Sequence, residues 1–163
     1  MTRQIATFYI ENTLFGLDIL LIKEVYSNVP LTPIPRAVKH LKGLMNLRGK
    51  VVTVIDLNFC LNCLKEHQDD ISRLIILKTD QEIHGFRKKG LLKNIRIGDD
   101  TVSFGINKMS DVLEVLPNQI LPVPSNLDEI EEDMIEGVIK IEKRLIFLLN
   151  ITAVLKRVLE AIQ

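Results

Sequence analysis

Short runs in which apolar and polar residues alternate recur along the chain, and they predict a protein built mainly of β-strands. Residues 5–10 alternate with the period of a strand, and a second apolar run starts at Leu14 after the polar break at 11–13. This pattern predicts a hairpin. Four further runs rich in β-branched or aromatic residues predict strands: VVTVIDL at 51–57, LIIL at 74–77, TVSFGI at 101–106 and LIFLL at 145–149.

Helical signals are confined to short stretches. Asp18 is suited to cap one short helical turn that begins at Ile19. The two prolines within 31–35 disfavour a helix and predict an extended connector. Residues 151–163 place Val154, Val158 and neighbouring apolar residues on one face, which predicts an amphipathic C-terminal helix.

The chain contains an internal repeat in which a proline segment, a glycine-led turn and an apolar strand follow one another twice. The offset between the copies is 89 from Pro33 to Pro122 and 94 from Gly43 to Gly137, so the second copy holds five extra residues within 125–136. Two copies predict two similar lobes, each a small barrel that leaves few strand edges exposed. A groove between the lobes is the expected site for a partner.

Charge and composition narrow the possible functions. The chain has 21 basic and 21 acidic side chains, so its formal net charge is zero and no long-range attraction to nucleic acid or to an anionic membrane is expected. Aromatic residues make up 5% without a single Trp, which leaves few rings for base stacking. No signal segment or spanning apolar run is present, so a cytoplasmic protein without membrane insertion is expected.

The sequence offers little reactive chemistry. Cys60 and Cys63 have a CxxC spacing and His67 follows, but a closed zinc site needs further ligands, and packing of Cys60 beside Leu57 and Leu61 is the preferred interpretation. The acidic run within 125–136 is interpreted as a solvated helix end rather than a metal site. Because the histidines have no nucleophile motif near them, we expect neither an enzyme nor a cofactor.

Several linked motifs, taken in order, resemble the CheW-type family of chemotaxis coupling proteins. The first half carries FGLDI, then EV, TPIP, GLMNLRG and VIDL. The second half carries SDV at 110–112 and QILP at 119–122. The resemblance covers almost the whole chain, and its specificity comes from the order of the motifs rather than from any one of them.

This resemblance implies a mainly β fold of two intertwined, SH3-like, five-stranded β-barrel lobes with short helices and a C-terminal amphipathic helix. The expected division places lobe 1 at about 14–75 and lobe 2 at about 1–13 plus 76–150, with strands exchanged between lobes allowed. It also implies a non-catalytic adaptor that binds the cytoplasmic tip of a methyl-accepting chemoreceptor and the regulatory domain of the kinase CheA. Such a protein is recruited to membrane-associated receptor arrays.

Candidate receptor-binding residues lie in the first half of the chain. Arg48 is the first choice, because its five donors can bind a carboxylate or backbone carbonyls on a partner helix. The competing interpretation pairs Arg48 internally with Asp56 or Asp18. The turn residues Asn46 and Gly49 and the apolar groove residues Ile22, Val25 and Val29 complete the candidate site. Core packing is an equally good explanation of the apolar members.

Two residues have expected structural roles. Gly43 is expected to permit a close backbone approach. Asp56 is expected to make a hydrogen bond at a strand end rather than to act as a catalytic carboxylate, since its repeat mate is Asn150.

The chain departs from the family pattern in two places. Asn107 stands where a carboxylate is usual. The segment 79–98 is longer and more basic than expected, and a solvated, mobile loop is the preferred interpretation over a patch for an acidic partner or phosphate. The candidates for that patch are Arg87, Lys88, Lys89, Lys93 and Arg96.

Three alternatives stay open at this point. A small barrel that binds RNA or DNA through 79–98 is one, and an enzyme without a recognisable motif is another. The third is the regulatory end of a kinase or the front half of a CheV-type protein. The lack of ATP-site motifs and of a receiver domain between Met1 and Gln163 favours a free-standing adaptor.

Overall fold

The computed structural model describes residues 2–27, 31–35, 41–57, 61, 71–125 and 132–162. Three short 3-10 turns, Ile19–Leu21, Pro117–Gln119 and Glu132–Met134, lie between the strands. The strands are β1 (Arg3–Ile10), β2 (Thr13–Asp18), β3 (Ile22–Tyr26), β4 (Leu41–Leu47), β5 (Lys50–Asp56), β6 (Arg73–Leu77), β7 (Val102–Ile106), β8 (Lys108–Val115), β9 (Ile120–Leu121), β10 (Ile135–Ile141) and β11 (Arg144–Leu149). The helices are α1 (Asp80–Lys88) and α2 (Ile151–Ile162).

The strands and caps predicted from the sequence are confirmed. β1 and β2 form the expected hairpin, and β5, β6, β7 and β11 occupy the four predicted runs. The Asp18 carboxylate accepts the Leu20 N–H at 3.0 Å and caps the predicted helical turn. Within the connector 31–35, Thr32 forms a single bridge to Leu44. The C-terminal helix is α2.

The strands form two sheets that share the chain in a nested way. The five-stranded sheet has the order β3-β6-β7-β5-β4, and its strands come from residues 22–106. The six-stranded sheet has the order β8-β1-β2-β11-β10-β9 and takes its strands from both flanks. β9, two residues long, is the extra member beyond the five strands expected. The mainly β, two-lobed architecture therefore agrees with the predicted fold class.

Two strands, β2 and β7, belong to a different sheet from the one that the expected lobe boundaries assign to them. β2 belongs with β1, because a tight hairpin turn keeps consecutive strands adjacent. β7 belongs to the five-stranded sheet, where it pairs in parallel with β5 and antiparallel with β6. The remaining strands follow the expected division, apart from β6, which continues past residue 75 to Leu77.

The repeat inferred from the sequence is visible in the strand pairing. β4 and β10 have bounds that differ by 94, and each has a register shift at the same point, between Leu41 and Gly43 in one copy and between Ile135 and Gly137 in the other. A Cβ on Gly43 would lie 2.7 Å from the Thr32 carbonyl oxygen, and one on Gly137 would lie 2.8 Å from that of Leu121. In both copies, glycine lets the proline segment approach the sheet closely.

Three buried clusters hold the fold together. The five-stranded sheet encloses its own cluster, which includes Met45, Val52 and Val54. The six-stranded sheet encloses another, in which the residues 94 positions later, Ile139, Ile146 and Leu148, take the equivalent places. The largest cluster combines residues of both sheets with α1 and α2, so the two lobes share a core.

The prediction of a solvated loop over 79–98 is wrong for its first half. Residues Asp80–Lys88 form α1, and Thr79 and Glu82 close a capping box at its start. Ile83 is fully buried in the shared core and Phe86 packs against it. Helix α1 is therefore an integral part of the fold.

Candidate functional site

The turn that carries Arg48 joins β4 to β5. Arg48 and Gly49 have φ of 53° and 84°, the left-handed values that a two-residue hairpin turn of the primed type requires. The Asn46 side-chain oxygen accepts the Gly49 N–H at 3.0 Å. The NLRG sequence thus folds locally into a tight turn that holds Arg48 at its tip.

Arg48 reaches across to β3, the edge strand at the far end of the same sheet. Its Nη1 donates to Glu24 Oε2 at 2.9 Å and its Nη2 to Oε1 at 3.4 Å. Hydrogen bonding to Glu24 and the charge of that carboxylate raise the pKa of Arg48. The suggested internal partners Asp56 and Asp18 are wrong, because the carboxylate in reach is that of Glu24.

The pair leaves most of the arginine in solvent. The Arg48 side chain is 72% exposed, whereas that of Glu24 is 23% exposed. A guanidinium has five donors, and two of them contact Glu24. The tip of the turn therefore presents a fixed cation with donors to spare.

Two of the predicted groove residues, Ile22 and Val25, lie on the same face of β3. A register shift between Ile22 and Glu24 pairs Ile22 with Leu77 and Val25 with Ile75, and residues two apart on β6 point to the same face. Ile22 is partly buried against the shared core, and Glu24 and Tyr26 are also partly buried. Val25 is 41% exposed, and Glu24 and Tyr26 lie on the opposite face of the strand from it, because they pair with Ile76 and Leu74. Val29 lies outside the described residues. Arg48 and Val25 consequently flank β3 from its two sides.

Gly43 and Asp56 occupy structural positions within the five-stranded sheet. Gly43 sits at the bulge in β4, close to the Thr32 backbone. Asp56 is 1% exposed at the end of β5, where it pairs with Gly105 of β7. Its repeat mate Asn150 caps α2, since its side-chain oxygen accepts the Ala153 N–H at 3.1 Å. A carboxylate as buried as that of Asp56 is closed to a partner protein.

Two contacts were missed by reasoning from the sequence. Glu24 belongs to the EV motif, and no signal in the sequence places it beside the turn of Arg48. Asn107, described only as a departure from the family, accepts the Glu11 N–H at 2.7 Å and ties the β1–β2 turn to the start of β8. The amide oxygen of Asn107 accepts this hydrogen bond in the way that a carboxylate oxygen would.

The basic segment divides into one structural arginine and four exposed cations. Arg87 donates to Asp80 at 2.6 Å and to the Ile95 carbonyl oxygen. Lys88, Lys89, Lys93 and Arg96 are exposed. Helix α1 is also tied to β3, because Lys23 contacts Glu82 at 2.9 Å. Helix α1 therefore lies beside the edge strand that Arg48 contacts.

The described part of the chain holds no group of three or more His, Cys, Asp and Glu residues placed to bind a metal ion. Cys60, Cys63 and His67 lie outside that part. Within the same ranges, no helix has the length and apolar character required to span a bilayer.

Comparison with known proteins gives a consistent answer. The family model described as the CheW-like domain matches residues 4–159. The chemotaxis protein CheW of Rhizobium meliloti (strain 1021) is 27% identical over 152 residues, covering 93% of the chain and 86% of the relative. That of Bacillus subtilis (strain 168) is 25% identical over 163 residues, covering 96% and 93%.

A solved structure agrees in fold. The crystal structure of the scaffolding protein TtCheW from Thermoanaerobacter tengcongensis matches with a TM-score of 0.74 and 25% identity, covering 94% of the chain and 88% of that protein.

Proposed function

Because the chain belongs to the CheW-like domain family, whose members are chemotaxis scaffold proteins rather than enzymes, we propose that it couples methyl-accepting chemoreceptors to the histidine kinase CheA. It binds the cytoplasmic tip of the receptor and the regulatory domain of the kinase, and it is recruited to receptor arrays from the cytoplasm. The observation that carries this proposal is the family match over 4–159.

The receptor docks, in this proposal, along the edge strand β3. Two features support the assignment. Arg48 is held in place by Glu24 while most of its side chain stays exposed, so a partner carbonyl or carboxylate meets a positioned donor. Val25 exposes a large apolar side chain on the other side of the strand, which a helical partner would bury.

The assignment is tested by reversing the charge of Arg48. Arg48→Glu keeps the turn intact, because the repeat mate Glu142 already adopts a φ of 54° against 53° for Arg48. We expect the variant to fold normally and to lose co-sedimentation with receptor-containing nanodiscs. Lys143→Glu is the matched control, since it makes the same charge change at the equivalent exposed turn between β10 and β11.

The wild-type chain should be captured by a receptor signalling tip and by a CheA regulatory domain, each alone and both together. Capture by neither would overturn the coupling function. Normal receptor binding by Arg48→Glu, with intact capture of wild type, would overturn the site and leave the coupling function standing. Equal loss in Lys143→Glu would show that the effect is one of net charge.

A further inference from the structure

The segment after β6 presents a cluster of cations that lies outside the proposed receptor site. We propose that Lys88, Lys89, Lys93 and Arg96, named here the basic patch, bind a short acidic segment of a partner protein. The patch lies at the end of α1 and in the loop that follows.

The basic patch lies on a segment that is anchored in the shared core. Ile83 is fully buried in the shared core, and Phe86 and Leu92 pack against the same cluster. Ile97 is 8% exposed and belongs to that core as well. Apolar residues before, between and after the cations therefore anchor the segment that displays them.

Asp80 ties the two ends of the segment together. Its carboxylate accepts the N–H groups of Ile97 at 2.9 Å and Gly98 at 3.0 Å, and it contacts Arg87 at 2.6 Å. Arg87 also donates to the Ile95 carbonyl oxygen. Further along the loop, the Arg96 N–H donates to Thr152 Oγ1 of α2 at 3.0 Å. Arg87 thus serves the structure of the segment. Among the described residues, Arg96 donates a long side-chain hydrogen bond from Nη1 to the Ile95 carbonyl oxygen at 3.4 Å, and the three lysines of the patch make no side-chain hydrogen bond.

The cations of the basic patch are accessible to a partner. All four are exposed, and none of them forms a salt bridge with another residue in the described ranges. The Lys93 side chain folds back over the turn, with its Nζ 3.8 Å from the position of a Cβ on Gly90. This places the Lys93 ammonium group close to Gly90, two residues after the end of α1.

Cations at a helix C-terminus also have a structural explanation, because they complement the helix dipole. That role accounts for one charge in the last turn. It does not account for Lys93, which lies outside the helix and still folds toward its end. The two roles differ in what they predict, since dipole stabilisation changes the free energy of unfolding and partner binding does not.

The footprint favours a compact acidic segment over an extended polyanion. Asp99 and Asp100 are exposed directly after the patch, and they would repel a nucleic-acid backbone or a charged bilayer that extended past it. The one aromatic side chain of segment 79–98, Phe86, is partly buried and in contact with Lys78, so it offers no face for base stacking. A short peptide that carries a few carboxylates needs neither base stacking nor a contact surface that extends past Asp99 and Asp100.

The test uses the full chain and a short dye-labelled peptide in which Glu alternates with Ser. We expect binding by fluorescence anisotropy that weakens as salt rises, and a loss of about tenfold or more in the triple variant Lys88→Glu/Lys89→Glu/Lys93→Glu. The triple variant Lys108→Glu/Lys140→Glu/Lys143→Glu makes the same change in net charge at exposed lysines elsewhere and should keep most of the binding.

Several outcomes would overturn the proposal. These are absence of wild-type binding at low salt, equal losses in the two triple variants, and binding to the Gln–Ser version of the peptide as strong as to the Glu–Ser one. Tighter binding to a thymidine oligonucleotide or to phosphatidylserine-containing vesicles would also overturn it in favour of those partners. Lys89→Gln/Lys93→Gln, which leaves Lys88 of the last helical turn in place, should weaken binding with an unchanged melting temperature, and a lowered melting temperature with normal binding would assign these lysines to the helix dipole. Arg48→Glu should bind the peptide normally, which keeps this test separate from that of the receptor site.

Discussion

Arg48 and Glu24 join the two edges of the five-stranded sheet through a two-point contact, with Nη1 2.9 Å from Oε2 and Nη2 3.4 Å from Oε1. Glu24 lies on β3, the first strand in the sheet order, and Arg48 lies at the tip of the hairpin formed by β4, the last one. The pair therefore brings together residues of strands that are not neighbours in the sheet. It also fixes the direction of a guanidinium that remains largely exposed.

Exchanging the charges of Arg48 and Glu24 distinguishes a structural role of this ion pair from a role of Arg48 in binding a partner. Exposed ion pairs contribute little to stability, so we expect Arg48→Glu, Glu24→Arg and the double variant to fold and to melt close to wild type. Receptor co-sedimentation should be lost in Arg48→Glu and should stay lost in the double variant, because the cation has moved from the turn to the strand. Binding restored by the exchange would show that Arg48 acts only by holding Glu24.

Gly43→Ala should destabilise the protein by about 1–3 kcal/mol, because a new methyl group would lie 2.7 Å from the Thr32 carbonyl oxygen and backbone must move. Urea unfolding followed by circular dichroism measures this change. Gly85→Ala is the control, since a Cβ there has no atom within 4 Å and the residue lies inside α1. It should stabilise the protein by up to about 1 kcal/mol. Equal effects of the two variants would refute the close approach.

Asp80 should make stability depend on pH in the acid range. Burial acts to raise the pKa of Asp80, but hydrogen bonds from Ile97, Arg87 and Gly98 outweigh it, so the pKa of the carboxyl in the folded chain is lowered. A lowered folded-state pKa means that the stabilisation is present above the unfolded-state pKa and is lost as pH falls through the folded-state pKa.

Asp80→Asn should therefore cost about 1–3 kcal/mol near neutral pH, with the difference from wild type shrinking below pH about 4. Amide hydrogen exchange of Ile97 and Gly98 should speed up in the variant, because their acceptor is weakened. A difference in stability that is constant between neutral and acid pH would contradict the anchoring role.

Ile83→Ala should reveal whether α1 is part of the cooperative fold. Ile83 is fully buried in the shared core, so its truncation is expected to cost about 2–5 kcal/mol in the free energy of unfolding. His84→Ala, at the exposed neighbouring position, should stay within about 0.5 kcal/mol of wild type. Unchanged stability in Ile83→Ala would mean that helix α1 unfolds independently of the lobes.

Local pattern was enough to predict the strands and much of the repeat. Alternation identified β1, and β-branched runs identified β5, β6 and β7, because the side chains of a strand point to its two faces in turn. The offset of 94 between Gly43 and Gly137 reappears in the strand bounds and in the bulges. Each strand, and each copy of the repeat, is recognised from residues that lie close together in sequence.

Long-range partners were predicted less well. Asp56 and Asp18 were plausible partners for Arg48 by type and charge. In the folded chain Arg48 instead contacts Glu24 of β3, although β3 and β4 stand at opposite ends of the sheet order. The division of the chain missed the parallel pairing of β7 with β5, which joins strands about 50 residues apart. Parallel partners need a long crossover, and no local signal marks where it returns.

The amino-acid sequence by itself determined the strand-rich fold, the duplication and the family, because side-chain periodicity and the order of motifs are properties of the chain. The tertiary structure alone decided which charges meet and which remain exposed. It paired Arg48 with Glu24, used Arg87 to hold a loop, and left Lys88 and Lys89 in solvent. Ion pairing depends on distances of a few ångströms across strands that are far apart in sequence, and only the folded chain sets those distances.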